Sequence, residues 1–397
     1  MKPTKSILTI SNNLTTSPLF NFSLGSKELF HSDFIYWLSR NYQDEIIRIF
    51  RKYIGGYRAK TLKILREKNH IDLMIEFDNS YLLIIENKIK SLPNKEQLNI
   101  TKQEFDNTKE KNFKNKKKFY LLLSLSEPLF NIEEIGWQFI SYKEFNKYLK
   151  LKRETVKDKY HNRILDDYCN FVSDLEEIDN LIKIDFKHEF YNFHIYNNEP
   201  LKTLKDLRIH DLYLKKKYSI LAFNLCEKVT KDKFLKDFKI YHSSNSSDWK
   251  DYIENSVWVN SGFFHQSPLF EIGYIIKSNG KKRNLAMGIQ VQGEYYTAFV
   301  LSESDDYAIK VAECLYDKKL FFDFSGITKI TKDTTEYPIR DNLIFRHYHR
   351  NNEYMFLYRA VKLGTGVKVK QLIENTLTNI KLIISNRTKI LNAISKI

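Results

Sequence analysis

The chain has 397 residues, of which 42% are hydrophobic and 14% are aromatic. This composition excludes an intrinsically disordered chain. The length exceeds what one compact core usually uses, so we expect two domains, residues 1–195 and 196–397. The formal net charge of +15 at pH 7 indicates a polyanionic partner, most simply nucleic acid, although a lysine-rich surface that only solvates the protein would explain the same charge.

The first part of the chain contains a helical region behind a polar lead-in. Residues 1–22 are rich in Ser, Thr and Asn, and we expect them to be loosely held. From Glu28 to Phe50, apolar residues recur every three or four positions, which predicts a helical region with one buried face. Glu28 lies in its first turn, where a carboxylate also interacts favourably with the helix dipole.

A β-hairpin follows a strand predicted over Thr61–Arg66. Two apolar runs, Ile71–Phe77 and Tyr81–Asn87, flank the turn-forming residues Asp78-Asn79-Ser80. Such runs suit a mostly buried, pleated surface, and a loop of about three residues between them is typical of a hairpin. The sequence therefore predicts a hydrophobic hairpin over residues 71–88.

The hairpin register brings three charged residues together. With the turn centred on its middle residue, Phe77 lies opposite Tyr81 and, by counting back, Asp72 lies opposite Glu86. Side chains alternate between the two faces of a sheet, so Glu86 and Lys88 point the same way and Asp72 joins them. Two carboxylates and one ammonium group are therefore predicted to meet at one end of the hairpin.

This arrangement favours a metal-dependent site. Like charges opposite each other on a sheet repel, and a divalent cation such as Mg²⁺, or Mn²⁺ in its place, removes the repulsion because hard cations bind carboxylate oxygens. Asp72 and Glu86 would hold the cation, with a main-chain carbonyl nearby. Lys88 would orient a water or neutralise developing negative charge, and at a strand end it is not expected to be part of the core. The alternative is an ordinary carboxylate–lysine pair.

The elements after the hairpin continue an α/β pattern. Pro93 is a good first residue for a helix, and Gln97 falls within its first turns, where the side chain either reaches the site or a phosphate or is solvated. Asn107–Lys118 is a run of charges, either a solvated loop or a patch that contacts phosphates. Phe119–Leu125 and Trp137–Ser141 are apolar runs that predict strands.

Asp72, Glu86 and Lys88 match the D-x(n)-E-x-K core of the PD-(D/E)XK nuclease superfamily. Two further motifs resemble the defence- and restriction-associated branch of that superfamily. One is the early helix with Glu28, a His-Ser pair and a Trp-containing apolar stretch, and the other is the IENK strand followed by a Gln-Leu pair. The resemblance covers roughly residues 20–145 and depends on the three motifs together.

The resemblance implies a fold, a reaction and further site residues. The fold is a restriction-endonuclease-like core with the element order αβββαβ, within the α/β class. The reaction is metal-dependent hydrolysis of phosphodiester bonds, with DNA as the expected substrate and defence against phage or foreign DNA as a plausible role. Glu28 would join the two carboxylates in the metal site, and Gln97 would act beside them. The chain departs from the family pattern at Ile71, where Pro is usual, and at Thr101, where Tyr is frequent.

The remaining residues predict a second domain of the α+β class. Leu201–Lys231 is predicted to be helical, with Lys215-Lys216-Lys217 on its exposed surface. Strands over residues 257–301 form a predicted meander with a hairpin turn at Asn279-Gly280, which favours an antiparallel sheet. Helices over Asp305–Lys318 and Val367–Ile384 complete the pattern.

Two basic segments of the second domain are candidates for contacts with nucleic acid. Lys281-Lys282-Arg283 is basic, and Arg346–Arg350 combines positive charge with aromatic and imidazole rings; together they suit phosphate pairing and base stacking. The alternative is an ordinary surface. We expect this domain to bind the target or an activating partner.

Several classes of function are disfavoured by what the sequence lacks. Cys169, Cys226 and Cys314 have no metal-ligand or disulfide spacing, which fits a reducing cytoplasm. The first residues lack the apolar core of a signal peptide, and no apolar run is long enough to cross a bilayer. Phosphate-binding loops and nucleotide fingerprints are also missing. We therefore expect a soluble cytoplasmic protein with no membrane partner.

The sequence thus predicts a metal-dependent nuclease, alone or as a homo-oligomer or partner-bound complex. The competing hypothesis is a catalytically silent nucleic-acid-binding or adaptor protein on the same fold. The intact set of Asp72, Glu86 and Lys88 argues for the nuclease. DNA and RNA substrates, and endonuclease and exonuclease action, all stay open at this stage.

Overall fold

The computed structural model forms two compact units. It describes residues 5–26, 28–68, 71–89, 92–152, 156–181, 183–192, 199–243, 253–264, 267–277, 284–302, 305–320, 346–350, 354–364 and 366–397. The first unit comprises Met1–Lys183 and Thr203–Tyr213, and the second comprises Ile184–Lys202 and Leu214–Ile397. The boundary predicted at residue 195 falls in the stretch over which the chain changes units.

Helices and a five-stranded sheet make up the first unit. Its helices up to residue 181 are α1 (Ile7–Thr16), α2 (Pro18–Ser26), α3 (Glu28–Asn41), α4 (Gln43–Phe50), α5 (Lys95–Asp106), α6 (Lys111–Lys114), α7 (Tyr142–Lys152) and α8 (Lys159–Leu181). Its strands are β1 (Leu62–Lys68), β2 (Ile71–Phe77), β3 (Tyr81–Lys88), β4 (Lys117–Ser124) and β5 (Gln138–Ser141). The predicted α/β class is therefore confirmed.

The five strands follow each other across the sheet in chain order, β1-β2-β3-β4-β5. The first three strands are antiparallel neighbours, whereas β3, β4 and β5 run parallel to one another. Parallel neighbours need a crossover connection, which α5 and α6 supply between β3 and β4. The sheet is therefore mixed, and the carboxyl end of β3 lies beside the carboxyl end of β4.

One face of the sheet packs on α5 through a hydrophobic cluster. Its buried members include Met74, Leu82, Ile84, Leu98, Phe105, Phe113, Tyr120, Leu122 and Trp137. The indole nitrogen of Trp137 donates to the main-chain oxygen of Leu98 at 3.1 Å, which ties the helix to the sheet. Helix α3 packs against β1, β2 and β3, and its buried His31 lies among the rings of Tyr142, Tyr168 and Phe171.

The expectation of a loosely held lead-in over residues 1–22 is wrong for the residues that the structure describes. Helices α1 and α2 occupy this segment and pack against α8. Ile10, Leu14 and Phe20 are buried. A few apolar side chains on a polar helix are enough when another helix covers them, and local composition does not show that cover.

The second unit is built on a seven-stranded sheet. Its strands are β6 (Lys239–Ser243), β7 (Ser256–Phe264), β8 (Ser267–Lys277), β9 (Leu285–Gln292), β10 (Tyr295–Ser302), β11 (Arg346–Arg350) and β12 (Tyr354–Lys362). They lie in the order β11-β12-β10-β9-β8-β7-β6, antiparallel except where β6 runs parallel to β7. The described helices from residue 199 onward are α9 (Glu199–Asp206), α10 (His210–Lys231), α11 (Asp305–Asp317), α12 (Val369–Ser385) and α13 (Arg387–Ile394).

The prediction that Lys215-Lys216-Lys217 are exposed is wrong for two of the three residues. Lys216 and Lys217 are buried in α10, and the Nζ atom of Lys217 lies 2.5 Å from a carboxylate oxygen of Glu189. Consecutive residues of a helix point to different faces, so a run of lysines reaches a buried side when the helix is packed on more than one face. No helix within the described ranges is long and apolar enough to cross a membrane.

Candidate active site

The turn of the β2–β3 hairpin is anchored by Asp78. Asp78 and Asn79 have φ angles of 47° and 57°, in the left-handed region that Asp and Asn tolerate better than most residues. The Asp78 carboxylate accepts hydrogen bonds from the main-chain nitrogen and the hydroxyl of Thr61, each at 2.8 Å. These bonds hold the pKa of Asp78 at about 2. The anchored turn pairs Phe77 with Tyr81, which confirms the predicted register.

This register brings the two predicted carboxylates to the same end of the hairpin. The ladder continues to Leu73 opposite Ile85. One position further, Oδ2 of Asp72 accepts a hydrogen bond of 2.7 Å from the main-chain nitrogen of Asn87. Asp72 thus joins the last residues of β3, beside Glu86.

Glu86 binds two neighbouring side chains through one of its oxygens. Its Oε1 atom lies 2.7 Å from Nζ of Lys88 and accepts a hydrogen bond of 2.7 Å from Nε2 of Gln97. The first turn of α5 positions Gln97. The Asn94 side chain caps this helix by accepting hydrogen bonds from the main-chain nitrogens of Glu96 and Gln97. The structure therefore brings Gln97 to the predicted carboxylates.

The site is more buried than the sequence suggested. Glu86 is 2% exposed and Lys88 is 8% exposed, so the expectation that Lys88 lies outside the core is wrong. The side chain of Lys88 comes from the last residue of β3, which also pairs with Ser124 of β4. This end of β3 therefore lies inside the sheet, next to a parallel neighbour that the strand pattern alone does not reveal.

Burial and neighbouring charges shift the pKa values of the two carboxylates and of Lys88. Burial, together with the charge of Glu86, raises the pKa of Asp72 to about 7. Burial also raises the pKa of Glu86, although the Lys88 ammonium group opposes the rise. Burial tends to lower the pKa of Lys88, but the neighbouring carboxylates outweigh burial and raise it. The site therefore has an excess of negative charge that its own lysine does not neutralise.

Glu28 affects this site through its charge. It lies in the first turn of α3, and its carboxylate raises the pKa of both Asp72 and Glu86. The described residues contain no group of three or more His, Cys, Asp or Glu side chains placed to hold a metal ion together. The role of Glu28 as a third metal ligand therefore stays a prediction.

The chemistry of the donor atoms fits a hard divalent cation. Lys88 and Gln97 both bind Oε1 of Glu86, while Oε2 is buried and has no hydrogen-bond partner within the described residues. A buried carboxylate oxygen without a partner is costly. A cation shared by Asp72 and Glu86 would satisfy this oxygen and would favour the charged form of both carboxylates, which burial disfavours.

The sequence did not predict which residues support the site from the opposite face of the sheet. Asn87 points to the opposite face of β3 from Glu86, and its side chain contacts Glu28, Ser32 and Tyr142. Asn87 and the His-Ser pair were visible as parts of the family motifs. The partnership with Tyr142 had no signal in the sequence, because it joins residues separated by 55 positions.

The basic segments proposed for nucleic-acid contacts have different environments. Lys114 and Lys117 are exposed, whereas the Nζ atom of Lys116 lies 2.7 Å from Oε1 of the buried Glu76. Lys116 therefore stabilises the sheet through an ion pair. Lys281-Lys282-Arg283 and the Asn279-Gly280 turn lie outside the described residues. Residues 346–350 form strand β11, next to β12 in the seven-stranded sheet.

A comparison with known protein families gives a match within the first unit. The family model of the PD-(D/E)XK nuclease superfamily matches residues 19–170, which confirms the predicted resemblance to that superfamily. The match does not extend to the defence-associated branch, which remains a prediction. Searches of curated proteins and of solved structures found no match. Residues 19–170 include every residue of the site described above.

Proposed function

We propose that this protein, whose residues 19–170 match the family model of the PD-(D/E)XK nuclease superfamily, is a metal-dependent nuclease that hydrolyses phosphodiester bonds. The observation that carries the proposal is the carboxylate pair of Asp72 and Glu86 beside Lys88, with Oε2 of Glu86 buried and without a partner among the described residues. A purely structural ion pair would satisfy its buried oxygens. In a metal site, an oxygen such as Oε2 of Glu86 is available to bind the cation.

The residues of the site have distinct roles in this proposal. Asp72 and Glu86 would hold the Mg²⁺ ion, which supplies Lewis-acid stabilisation of phosphate charge and an acidified water when it is bound. Lys88 keeps its proton, since its pKa is raised, and so can orient the attacking water and stabilise negative charge on the phosphate. Gln97 holds the Glu86 carboxylate in place.

The proposed substrate is DNA. The net charge of +15 favours a polyanion, and electrostatic attraction to phosphates supplies most of the non-specific affinity of DNA-binding proteins. From the resemblance to the defence- and restriction-associated branch, we propose phage or foreign DNA as the target. The second unit would bind the target or a partner protein, because the paired carboxylates lie in the first unit.

One assay tests the proposal directly. Purified protein is incubated with plasmid, linear duplex DNA, single-stranded DNA and RNA, each with Mg²⁺, Mn²⁺ or EDTA. We expect cleavage of DNA with either metal and none with EDTA. Lys88→Met and Glu86→Gln should each abolish cleavage, because they remove the stabilising ammonium group and a metal-binding oxygen.

The chain offers a matched control for these variants. Glu76 is a second buried carboxylate on the same sheet, and it also pairs with a lysine at 2.7 Å. Glu76→Gln should reduce stability and leave cleavage per folded molecule unchanged. Cleavage by Lys88→Met at the wild-type rate would remove this site from the reaction. Nucleic-acid binding without any cleavage would support the adaptor hypothesis, and cleavage of RNA alone would correct the substrate.

A further inference from the structure

Asn87 lies at the centre of the site but faces away from the reacting side chains. It is 1% exposed, and it sits in β3 between Glu86 and Lys88. Successive residues of a strand point to opposite faces. Asn87 therefore projects toward the face of the sheet on which α3 packs, while its neighbours project toward α5 and Gln97.

The four hydrogen bonds of Asn87 join four elements of the first unit. Its main-chain nitrogen donates to Oδ2 of Asp72 in β2 at 2.7 Å. Its side-chain Nδ2 donates to the main-chain oxygen of Glu28 at 3.1 Å and to Oγ of Ser32 at 3.2 Å, both in α3. Its Oδ1 accepts from the hydroxyl of Tyr142, the first residue of α7, at 2.6 Å.

Tyr142 is itself held in a buried aromatic cluster. It is 0% exposed, and its ring packs edge-on against His31 with ring centroids 5.4 Å apart. The hydroxyl of Tyr168 hydrogen-bonds to Nδ1 of His31 at 2.9 Å. Buried and packed on several sides, the Tyr142 hydroxyl is a rigid donor for Asn87.

We infer that Asn87, oriented by Tyr142, is a positioning residue that docks the first turn of α3 and its Glu28 carboxylate against the Asp72–Glu86 pair. The inference rests on the proposed function and goes further, because it states what sets the charge around the cation. The amide of Asn87 donates to the main-chain oxygen of Glu28 at 3.1 Å, so it holds the turn of α3 from which the Glu28 carboxylate projects. Tyr142 therefore controls cation affinity through Glu28 without touching the cation.

Asparagine suits this position because the site needs a donor and an acceptor on one short side chain. The amide donates to Glu28 and Ser32 and accepts from Tyr142, which uses both ends of the group. Aspartate in its place would lose the two donated bonds and add a negative charge beside Asp72. An apolar residue would leave the buried Tyr142 hydroxyl without its acceptor, which is costly.

A double-mutant cycle between Tyr142 and Glu28 tests the inference. The affinity of full-length wild type, Tyr142→Phe, Glu28→Gln and the double variant for Mn²⁺ is measured by calorimetry without nucleic acid. We expect Tyr142→Phe to weaken Mn²⁺ binding about threefold to tenfold, the effect of one lost hydrogen bond. In the Glu28→Gln background, the same change should alter the affinity less than about twofold, because Tyr142 acts through Glu28.

Tyr120→Phe is the matched control. Tyr120 is 4% exposed in β4 of the same sheet, and its hydroxyl donates to Oδ1 of Asp106 at 2.6 Å. Its replacement removes an equivalent hydrogen bond away from Asn87 and should leave Mn²⁺ affinity unchanged. An equal loss of affinity from Tyr142→Phe with and without the Glu28 carboxylate would overturn the inference, as would an equal loss from Tyr120→Phe.

Circular dichroism spectra and melting curves accompany each variant. Should Tyr142→Phe fail to fold, the cycle is run with Ser32→Ala, which removes the other side-chain partner of Asn87. An unchanged Mn²⁺ affinity in that folded variant would overturn the inference. A wild-type protein that binds no Mn²⁺ would overturn the proposed function together with this inference. If the wild type binds Mn²⁺ and neither Tyr142→Phe nor Ser32→Ala changes the affinity, the inference alone is overturned.

Discussion

Replacing Asp72 by Asn should stabilise the protein at high pH in the absence of metal. The Asp72 carboxylate is largely buried beside Glu86, and burial together with that charge raises its pKa from 3.8 to about 7. Asn keeps the shape of the side chain and an oxygen that can accept from the main-chain nitrogen of Asn87. The variant therefore removes the repulsion and retains the hydrogen bond.

The sign and size of this effect follow from the raised pKa. The folded protein holds the Asp72 proton to higher pH than the unfolded chain does, so ionisation of Asp72 costs stability. The cost begins near pH 4, where the unfolded chain ionises, and is complete above about pH 7. A pKa rise of this size corresponds to at most about 4 kcal/mol. Because Asp72 keeps some solvent contact, we expect about 1–2 kcal/mol at pH 8.

Urea unfolding in EDTA at pH 5 and pH 8 measures the effect. The free energy of unfolding of Asp72→Asn should exceed that of the wild type at pH 8, and the difference should be smaller at pH 5. Asp78→Asn is the control on the same hairpin. Hydrogen bonds lower the pKa of Asp78 to about 2, so its charge stabilises the fold above about pH 4 and its loss should destabilise. A less stable Asp72→Asn at pH 8, or a difference that does not change with pH, would refute the reasoning.

Two further predictions concern the lysines. Lys88→Met should lower the free energy of unfolding by about 3 kcal/mol, because it removes the ammonium group that pairs with the buried Glu86 carboxylate. Wild-type stability of this variant in urea unfolding would contradict the prediction. Replacing exposed Lys114 and Lys117 by Ser should reduce the slope of log K against log[salt] by about 0.9 for each duplex-DNA phosphate contact that is lost. Fluorescence anisotropy over a range of KCl concentrations measures that slope, and an unchanged slope would show that these lysines do not contact phosphate.

The central hairpin was predictable because its determinants are local. Two apolar runs and a turn of Asp and Asn fix the pairing of Phe77 with Tyr81, and strand alternation then places Glu86 and Lys88 on one face. Gln97 was predictable only as a residue near the site. Its actual contact with Glu86 depends on the Asn94 cap and on the way α5 packs over the sheet.

Burial could not be predicted where a distant element supplies the cover. Lys88, the lead-in helices and Lys217 were all expected to be more exposed than they are. In each case the covering element is far away in the sequence or on another strand, as with Ser124 beside Lys88. Hydrophobic periodicity reports which face of an element is apolar, but it does not report which polar side chains a neighbour will enclose.

By itself, the sequence determined the α/β class, the hairpin and the meeting of two carboxylates with a lysine, because spacing and turn chemistry act over a few residues. Only the tertiary structure decided how the site is charged and held. Lys88 is buried at the end of β3, next to its parallel neighbour β4, and burial together with the charge of Glu86 raises the pKa of Asp72 to about 7. Tyr142 reaches Asn87 across 55 positions, a contact that arises only when the helices pack on the sheet.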